Sequence, residues 1–220
     1  QAVTLLKGDI KFWRKQMANS NPEIKSLAMR MLSSNNAITT DELLTIQKEE
    51  MRSTVRLQAF NLLKNYSDKN FISSIKLGLY DNYELIRRLS SLYAAKNGSP
   101  ELIDDVFTLR FQPGVSKRVE FQLKGATEIY SRDLAIAAYE KALNGKDGKW
   151  YERCKNQISS LKYNLDNGEK EYAALLDPKT PVKAKKFTIS ALRNSCEATH
   201  LDILFKFFAE SDNVELKSQL

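Results

Sequence analysis

The chain of 220 residues has few of the residue types around which catalytic and metal centres are built. It contains one histidine, two cysteines and eight glycines. A histidine-based catalytic triad or a His/Cys metal site would therefore lack converging partners. The glycine-containing segment 144–149 lacks the glycine spacing and the Lys-Ser/Thr ending of a phosphate-binding loop. No run of about 18 apolar residues is present, which argues against a transmembrane helix. We expect no catalytic residue, metal or cofactor.

The scarce reactive residues have ordinary structural interpretations. His200 is expected to lie on the surface at the start of a helix, and Cys154 and Cys196 are expected to be free, partly buried thiols. Free thiols fit a reducing compartment, but a secreted repeat protein without disulfides would have the same sequence pattern, so the localisation stays open. The adjacent carboxylates Glu49–Glu50 and Asp104–Asp105 point about 100° apart on a helix, so we expect them on solvated helix faces.

A helix-sized apolar pattern recurs along the whole sequence. The first apolar residue of each unit, its anchor, follows the previous one at an interval of 30 to 35 residues. The anchors are Ile24, Val55, Ile86, Val119, Cys154, Ala184 and Leu216. A fixed period of this size is typical of proteins built from stacked repeats.

Each anchor opens an amphipathic stripe with helical spacing, which we name an A helix. A turn follows, and then a shorter stripe, which we name a B helix. The predicted B stripes are Leu43/Leu44/Ile46, Phe71/Ile72/Ile75/Leu79, Leu102/Ile103/Val106/Phe107, Leu134/Ala138/Tyr139, Tyr172/Ala173/Leu175/Leu176 and Leu201/Leu204/Phe205/Phe208. No stretch of useful length alternates as a strand does, so the chain is predicted to be all-α.

The openings of the A helices resemble those of HEAT repeats. A polar or acidic residue, an aliphatic residue and a basic residue follow one another in segments 21–25, 53–56 and 83–87, and more weakly in 214–217. The resemblance implies a right-handed α-solenoid of about six to seven helix pairs, forming a single repeat domain over residues 1–220. Armadillo and tetratricopeptide arrays are the nearest alternatives, but their helix number or spacing fits less well.

The two ends predict a piece of a longer protein, because neither looks like a polar capping repeat. We expect Leu216 and Leu220 to lie on a helix face without a partner. Phe207 is expected either to be covered by a downstream repeat or to belong to a binding face. Trp150–Tyr151 either fills a wedge between repeats or forms an exposed anchor for a partner.

Basic residues give the chain a formal net charge of +7. One basic residue directly follows the anchor in six units; these are Lys25, Arg56, Arg87, Lys155, Lys185 and Lys217. A stripe of this kind could follow a phosphate backbone. We favour a structural ladder instead, in which each cation bonds to carbonyls or to an acidic neighbour between successive repeats.

These patterns predict a non-catalytic scaffold that binds a protein or peptide on the concave face formed by its B helices. One alternative is a helical accessory domain of a multidomain enzyme, since residues 183–208 are faintly similar to the C-terminal helical domains of zinc aminopeptidases. A nucleic-acid-binding module is the other alternative. No sequence feature identifies individual binding residues.

Overall fold

The computed structural model describes residues 9–66, 68–144, 148–162, 168–195 and 197–218. Throughout these residues the chain is helical, with fourteen α-helices and no strand, which confirms the all-α prediction. The chain forms two compact units, Gln1–Ile129 and Tyr130–Leu220.

The helices of the first unit alternate between the predicted B and A elements. They are α1 (Ile10–Gln16), α2 (Pro22–Ser34), α3 (Thr40–Glu49), α4 (Ser53–Leu63), α5 (Asp68–Leu79), α6 (Glu84–Asn97), α7 (Ile103–Arg110) and α8 (Lys117–Glu128). A single 3₁₀ turn, Pro100–Leu102, precedes α7. The odd-numbered helices are B helices and the even-numbered ones are A helices.

The second unit continues the same alternation. Its helices are α9 (Arg132–Leu143), α10 (Gly148–Lys162), α11 (Glu169–Leu176), α12 (Val182–Ser195), α13 (Ala198–Glu210) and α14 (Val214–Lys217).

Local sequence signals set many of the helix ends. The side chain of Asn21 accepts a hydrogen bond from the backbone N–H of Glu23, and Pro22 occupies the first turn of α2, where its missing N–H costs nothing. Thr39 begins α3 in a reciprocal capping box with the carboxylate three residues later. At the end of α6, Gly98 adopts φ 65°, a left-handed conformation that glycine tolerates without steric cost. The short polar segments between helices are therefore caps as well as connections.

In the first unit, helices two apart in sequence pack side by side. The A helices α2 and α4 are in contact, as are α6 and α8, while the B helices α3, α5 and α7 pack in succession. The buried core at the start of this unit consists of Trp13, Ala28, Met29, Leu32, Ile38, Leu43, Val55, Ala59, Leu62 and Leu63. Burying these side chains between neighbours supplies the main stabilisation, because an isolated helix pair leaves its apolar stripe in water.

Two of the inter-helix contacts in this unit are specific. Gln47 on α3 donates to the backbone carbonyl of Ser74 on α5 at 2.8 Å, and the Ser74 hydroxyl donates back to the Gln47 amide oxygen at 2.6 Å. Between α5 and α6 the backbones approach closely at Gly78, where an added Cβ would lie 2.0 Å from Ser90 Oγ. Glycine therefore permits the packing distance of these two helices.

In the second unit, α10 packs on α12, α12 on α14, and α11 on α13. Its core is formed by Leu175, Ile189, Ala191, Leu192, Leu204, Phe207 and Leu216. The prediction that Leu216 lacks a partner is wrong, because this core covers it. Phe207 is likewise buried within the unit, so neither interpretation offered for it from the sequence is correct. Leu220 lies outside the described residues.

The anchors are mostly buried, as predicted, with two exceptions. Val55, Ile86, Val119, Cys154 and Leu216 are in the core. Ile24 and Ala184 are exposed. Both lie in the first turn of a helix whose buried residues begin further on, at Ala28 in α2 and at Ile189 in α12.

Three B stripes differ from their predicted faces. In α11, Leu175 is buried, but Ala173 and Leu176 of the predicted stripe are exposed. In α13 the buried residues are His200, Leu204 and Phe207, whereas Leu201 and Phe208 are exposed and Phe205 is 71% exposed. The prediction that His200 is a surface residue is therefore wrong. Its Nδ1 lies 2.8 Å from Ser195 Oγ, and this hydrogen bond offsets the cost of burying a polar ring.

In α9 the packed face carries Ala135, Ala138, Tyr139 and Ala142. Leu134 is exposed, so the predicted stripe was wrong at that position. The helix therefore packs through alanines, and its largest aliphatic side chain near the start points to solvent.

Candidate interaction surface

The basic residues that follow the anchors form the predicted ladder in the first unit. Lys25 pairs with Glu50. Arg56 pairs with Asp81 through two hydrogen bonds of 2.8 Å, from Nε and Nη2. Arg87 donates to the Asp81 carbonyl at 2.6 Å. Lys25 and Arg56 therefore bond to the segment after the next B helix, which confirms the structural interpretation at these two positions, whereas Arg87 bonds to the segment just before its own helix.

Arg56 is the most fully bonded member of the ladder. Besides its carboxylate partner it donates from Nη1 to the carbonyls of Glu50 and Met51, both at 2.8 Å. The Arg56 and Asp81 side chains are 6% and 5% exposed. The hydrogen bond to Asp81 raises the pKa of the guanidinium. A guanidinium that is bonded on all sides in this way is not available to a ligand.

The ladder does not continue in the second unit. Lys155 lies over the ring of Tyr151, with Nζ 5.6 Å from its centroid, and Lys217 lies over Phe208 at 4.9 Å. Within the part of the chain that the structure describes, Lys155, Lys185 and Lys217 form no ion pair. The prediction is therefore not met at these positions, although Asp177 and Asp212 follow the B helices α11 and α13.

A groove crosses the B helices of the first unit. It has a volume of about 560 Å³ and is open to solvent along its length. Residues of α3, of α5 with the residue that follows it, and of α7 line this B-face groove: Leu44, Thr45, Lys48, Glu49, Ser73, Lys76, Leu77, Tyr80 and Asp105. Since the three helices pack in succession, each contributes one strip of the groove wall.

The floor of the B-face groove is apolar and its rim is charged with both signs. Tyr80, 54% exposed, donates its hydroxyl to Asp105 Oδ1 at 2.8 Å. Lys76 Nζ lies 3.3 Å from Asp105 Oδ2. Burial, together with the bond to Asp105, raises the pKa of Tyr80, so the phenol keeps its proton and its position. The aromatic ring is thus fixed at the rim beside half-buried Leu44 and Leu77.

A second depression of about 410 Å³ adjoins the groove and shares Lys48, Leu77 and Tyr80 with it. It extends to the loop between α3 and α4, where the Met51 side chain is 92% exposed. Met51 is the most exposed large apolar residue described in the chain, and a flexible thioether adapts readily to the shape of a bound side chain. The groove and the depression together form one continuous candidate surface.

Two predicted solvated carboxylates are instead part of inter-repeat contacts. Glu50 bonds to Lys25, and Asp105 bonds to Tyr80 and pairs with Lys76. The prediction of solvated faces is wrong for these two residues because each side chain bonds to a residue of another helix. Their sequence neighbours Glu49 and Asp104 are exposed, as predicted.

The scarce reactive side chains do not converge. Cys154 is a free, buried thiol, and burial raises its pKa to about 11. It is therefore protonated at neutral pH and a poor nucleophile. Its predicted free state is confirmed, while Cys196 lies outside the described residues.

Trp150 is buried and so does not form an exposed anchor. No group of three His, Cys, Asp or Glu residues in the described ranges is arranged to hold a metal ion.

Sequence reasoning named no residue of the B-face groove as a binding residue. Leu44 was placed on a core stripe, and Tyr80 and Met51 fall between stripes. One weak sequence feature could have indicated the groove. Tyr80 and Met51 are large apolar residues outside the periodic pattern, at the ends of consecutive repeats.

None of the helices described is both long enough and apolar enough to cross a membrane. Comparisons of the chain with protein-family models, with curated proteins and with solved structures found no match.

Proposed function

We propose that the chain is a non-catalytic scaffold of HEAT-like helix pairs that binds a peptide or a helix of a protein partner in the B-face groove. The repeat architecture is supported by the packing of helices two apart in sequence within each unit. The bonds of Lys25 and Arg56 support it further, since these two cations join successive repeats at equivalent positions. A right-handed solenoid is the arrangement that such repeats favour.

The observation that carries the proposal is the composition of the B-face groove. Its volume of about 560 Å³ falls in the range of ligand-binding clefts, and it is open like a channel for a chain rather than closed around a small molecule. Apolar contact with Leu44, Leu77 and the Tyr80 ring would supply affinity. Polar groups at the rim would fix the orientation of the bound segment.

The charge on the rim favours a protein partner over nucleic acid. Lys48 and Lys76 face the groove together with Glu49 and Asp105, so the cations are balanced by anions. A phosphate backbone requires an excess of cations along its path, whereas a peptide of mixed character matches a rim of mixed charge.

The experiment is a selection of peptides from a displayed library on the immobilised protein, followed by affinity measurements with purified peptides. The test variant is Thr45→Arg, because Thr45 is exposed and lines the groove, so a long side chain there obstructs the groove without entering the core. Thr199→Arg is the matched control, since Thr199 is exposed on the B helix α13, which does not line the groove.

We expect selected peptides to bind the parent protein and Thr199→Arg equally, and to bind Thr45→Arg about tenfold more weakly or not at all. Equal binding to all three proteins would place the peptide elsewhere and refute the groove proposal. A selection that yields no specific peptide would count equally against it.

A further inference from the structure

A cluster of unpaired cations surrounds an exposed aromatic ring on the A helices of the first unit, away from the residues of the B-face groove. Arg88 of α6 and Lys117, Arg118, Phe121 and Gln122 of α8 line a depression of about 310 Å³. Phe121 is 72% exposed. We name the set Arg88, Lys117, Arg118 and Phe121 the basic–aromatic cluster.

Helical spacing and helix packing bring these side chains together. Phe121 lies four residues after Lys117 and three after Arg118, so the three share one face of α8. Arg88 reaches them because α6 and α8 pack directly on each other. A large apolar side chain is therefore surrounded by three positive charges.

The charges of the cluster are not neutralised by the protein. Among the described residues, none of the three cations forms an ion pair, although Glu84 lies one turn before Arg88 on the same helix. Glu120, three residues after Lys117, bonds to Arg110 at 3.0 Å. Arg88 Nε is buried and has no hydrogen-bond partner within the described chain. Since this nitrogen is closed to solvent, an external acceptor would bond to the terminal nitrogens of the Arg88 guanidinium.

The start of α8 adds to the positive potential. Ser116 caps the helix by accepting from the Val119 N–H at 3.4 Å, which leaves the first two N–H groups of α8 directed outward. Lys117 and Arg118 occupy those positions, where the helix dipole favours anions and makes cations unfavourable. Two cations at such positions cost stability unless an anion binds there.

We infer that the basic–aromatic cluster is a second binding surface, which takes a short acidic peptide segment with an apolar side chain next to its carboxylates. Carboxylates would accept hydrogen bonds from the guanidinium groups of Arg88 and Arg118, and the apolar side chain would cover Phe121. The match of charge between three cations and an acidic segment selects this occupant.

The repeat pattern argues against a nucleic-acid backbone as the occupant. The positions equivalent to Arg88 in the two preceding repeats are Ser26 and Leu57, and those equivalent to Arg118 in the same repeats are Glu23 and Thr54. Within the first unit the positive charge at these positions is thus confined to one place, whereas a polynucleotide needs a row of cations.

The test uses fluorescence anisotropy with a labelled peptide in which glutamates flank a central leucine, and a second peptide with glutamine in place of every glutamate. We expect the acidic peptide to bind and the glutamine peptide to bind about tenfold more weakly or not at all. Binding of the acidic peptide should also weaken as ionic strength rises.

Two variants probe the cluster, with one matched control. Arg118→Glu and Phe121→Ser change exposed residues, so the fold should persist, which circular dichroism verifies. Each is expected to weaken acidic-peptide binding at least about fivefold. The control is Lys183→Glu, at the exposed second position of α12. It reverses one positive charge, as Arg118→Glu does at the second position of α8, and should leave the affinity for the acidic peptide unchanged.

Three outcomes would overturn the inference. The first is no binding of the acidic peptide, and the second is equal loss of binding in Arg118→Glu and Lys183→Glu. The third is tighter binding of a single-stranded oligothymidylate that also depends on Arg118. Thr45→Arg should leave acidic-peptide binding unchanged, so this surface and the B-face groove are tested independently.

Discussion

Removal of the buried Arg56 guanidinium should strongly destabilise the first unit. In Arg56→Met the aliphatic stem is kept, but two hydrogen bonds to Asp81 and two to the carbonyls of Glu50 and Met51 are lost. Because the Arg56 and Asp81 side chains are 6% and 5% exposed, water replaces these bonds poorly. Breaking a buried pair by removing one partner costs about 3–5 kcal/mol, and we expect a loss in that range.

The assay is urea unfolding followed by tryptophan fluorescence. The chain has two tryptophans, Trp13 in the first unit and Trp150 in the second, so all measurements use a Trp150→Phe background in which Trp13 reports the first unit alone. The matched control is Arg14→Met. Arg14 pairs with Glu42 across the same kind of helix interval, but both side chains are 41% exposed, and such exposed pairs contribute about 0–1 kcal/mol.

A double-mutant cycle identifies the source of the loss. Asp81→Asn removes the charge of the partner, and the variant that carries both changes should be little less stable than Arg56→Met, with a coupling of about 1–3 kcal/mol. If Arg56→Met cost no more than Arg14→Met, or if the two single losses simply added, the reasoning about a buried clamp between repeats would be refuted.

Further predictions concern helix packing, helix rotation and acid stability. Gly78→Ala should destabilise by about 1–2 kcal/mol through overpacking, and adding Ser90→Ala should restore part of the loss, as measured by thermal melting. Ser90→Ala alone should be neutral or stabilising, because the hydroxyl is buried without a partner in the described chain. Phe207→Ala should cost about 3–5 kcal/mol, whereas Phe205→Ala should cost under about 0.5 kcal/mol; equal losses would contradict the observed rotation of α13. The bond to its lysine partner lowers the pKa of Glu50 below 4.5, so the stability it contributes is complete above that pH and is lost as the pH falls through the lowered value. Glu50→Gln should therefore be less stable at neutral pH and lose less stability on acidification, which urea midpoints between about pH 6 and pH 3 will check.

The sequence was sufficient to predict the alternating helices and the bonds of Lys25 and Arg56, but not the absence of the ladder in the second unit. Val55 and Ile86 recur at a fixed interval with a basic residue directly after each, and a repeat that stacks on its neighbour places such residues at equivalent points. The partner of Arg56, Asp81, lies 25 residues ahead, within the following repeat. Periodicity thus carries information about tertiary contacts when each repeat touches only its neighbours.

The rotation of α13 was beyond this kind of reasoning. His200 was expected on the surface at the start of the helix, and the predicted stripe contained Leu201, Leu204, Phe205 and Phe208, of which Leu204 alone is buried. Burial of the imidazole depends on a hydrogen bond to Ser195, which is a matter of geometry rather than composition. The spacing of apolar residues does not reveal a polar side chain that is buried in the core with a hydrogen-bond partner.

The B-face groove was unpredictable for a related reason. Leu44 and Leu77 belong to regular apolar stripes, and nothing in their spacing distinguishes a fully covered residue from one at the edge of a groove. Tyr80 becomes part of the surface because its hydroxyl reaches Asp105 on the next B helix. Exposure of this kind follows from the distance between packed helices, which the spacing of apolar residues along the chain does not determine.

Asp81 connects three consecutive helices at one residue. Its carboxylate accepts from Arg56 of α4, its carbonyl accepts from Arg87 of α6, and it lies just beyond the end of α5. Opening any one of these helices breaks bonds that hold the other two. The backbone amides of α4, α5 and α6 should consequently exchange with deuterium as a single cooperative block, while helices without such a shared joint open separately.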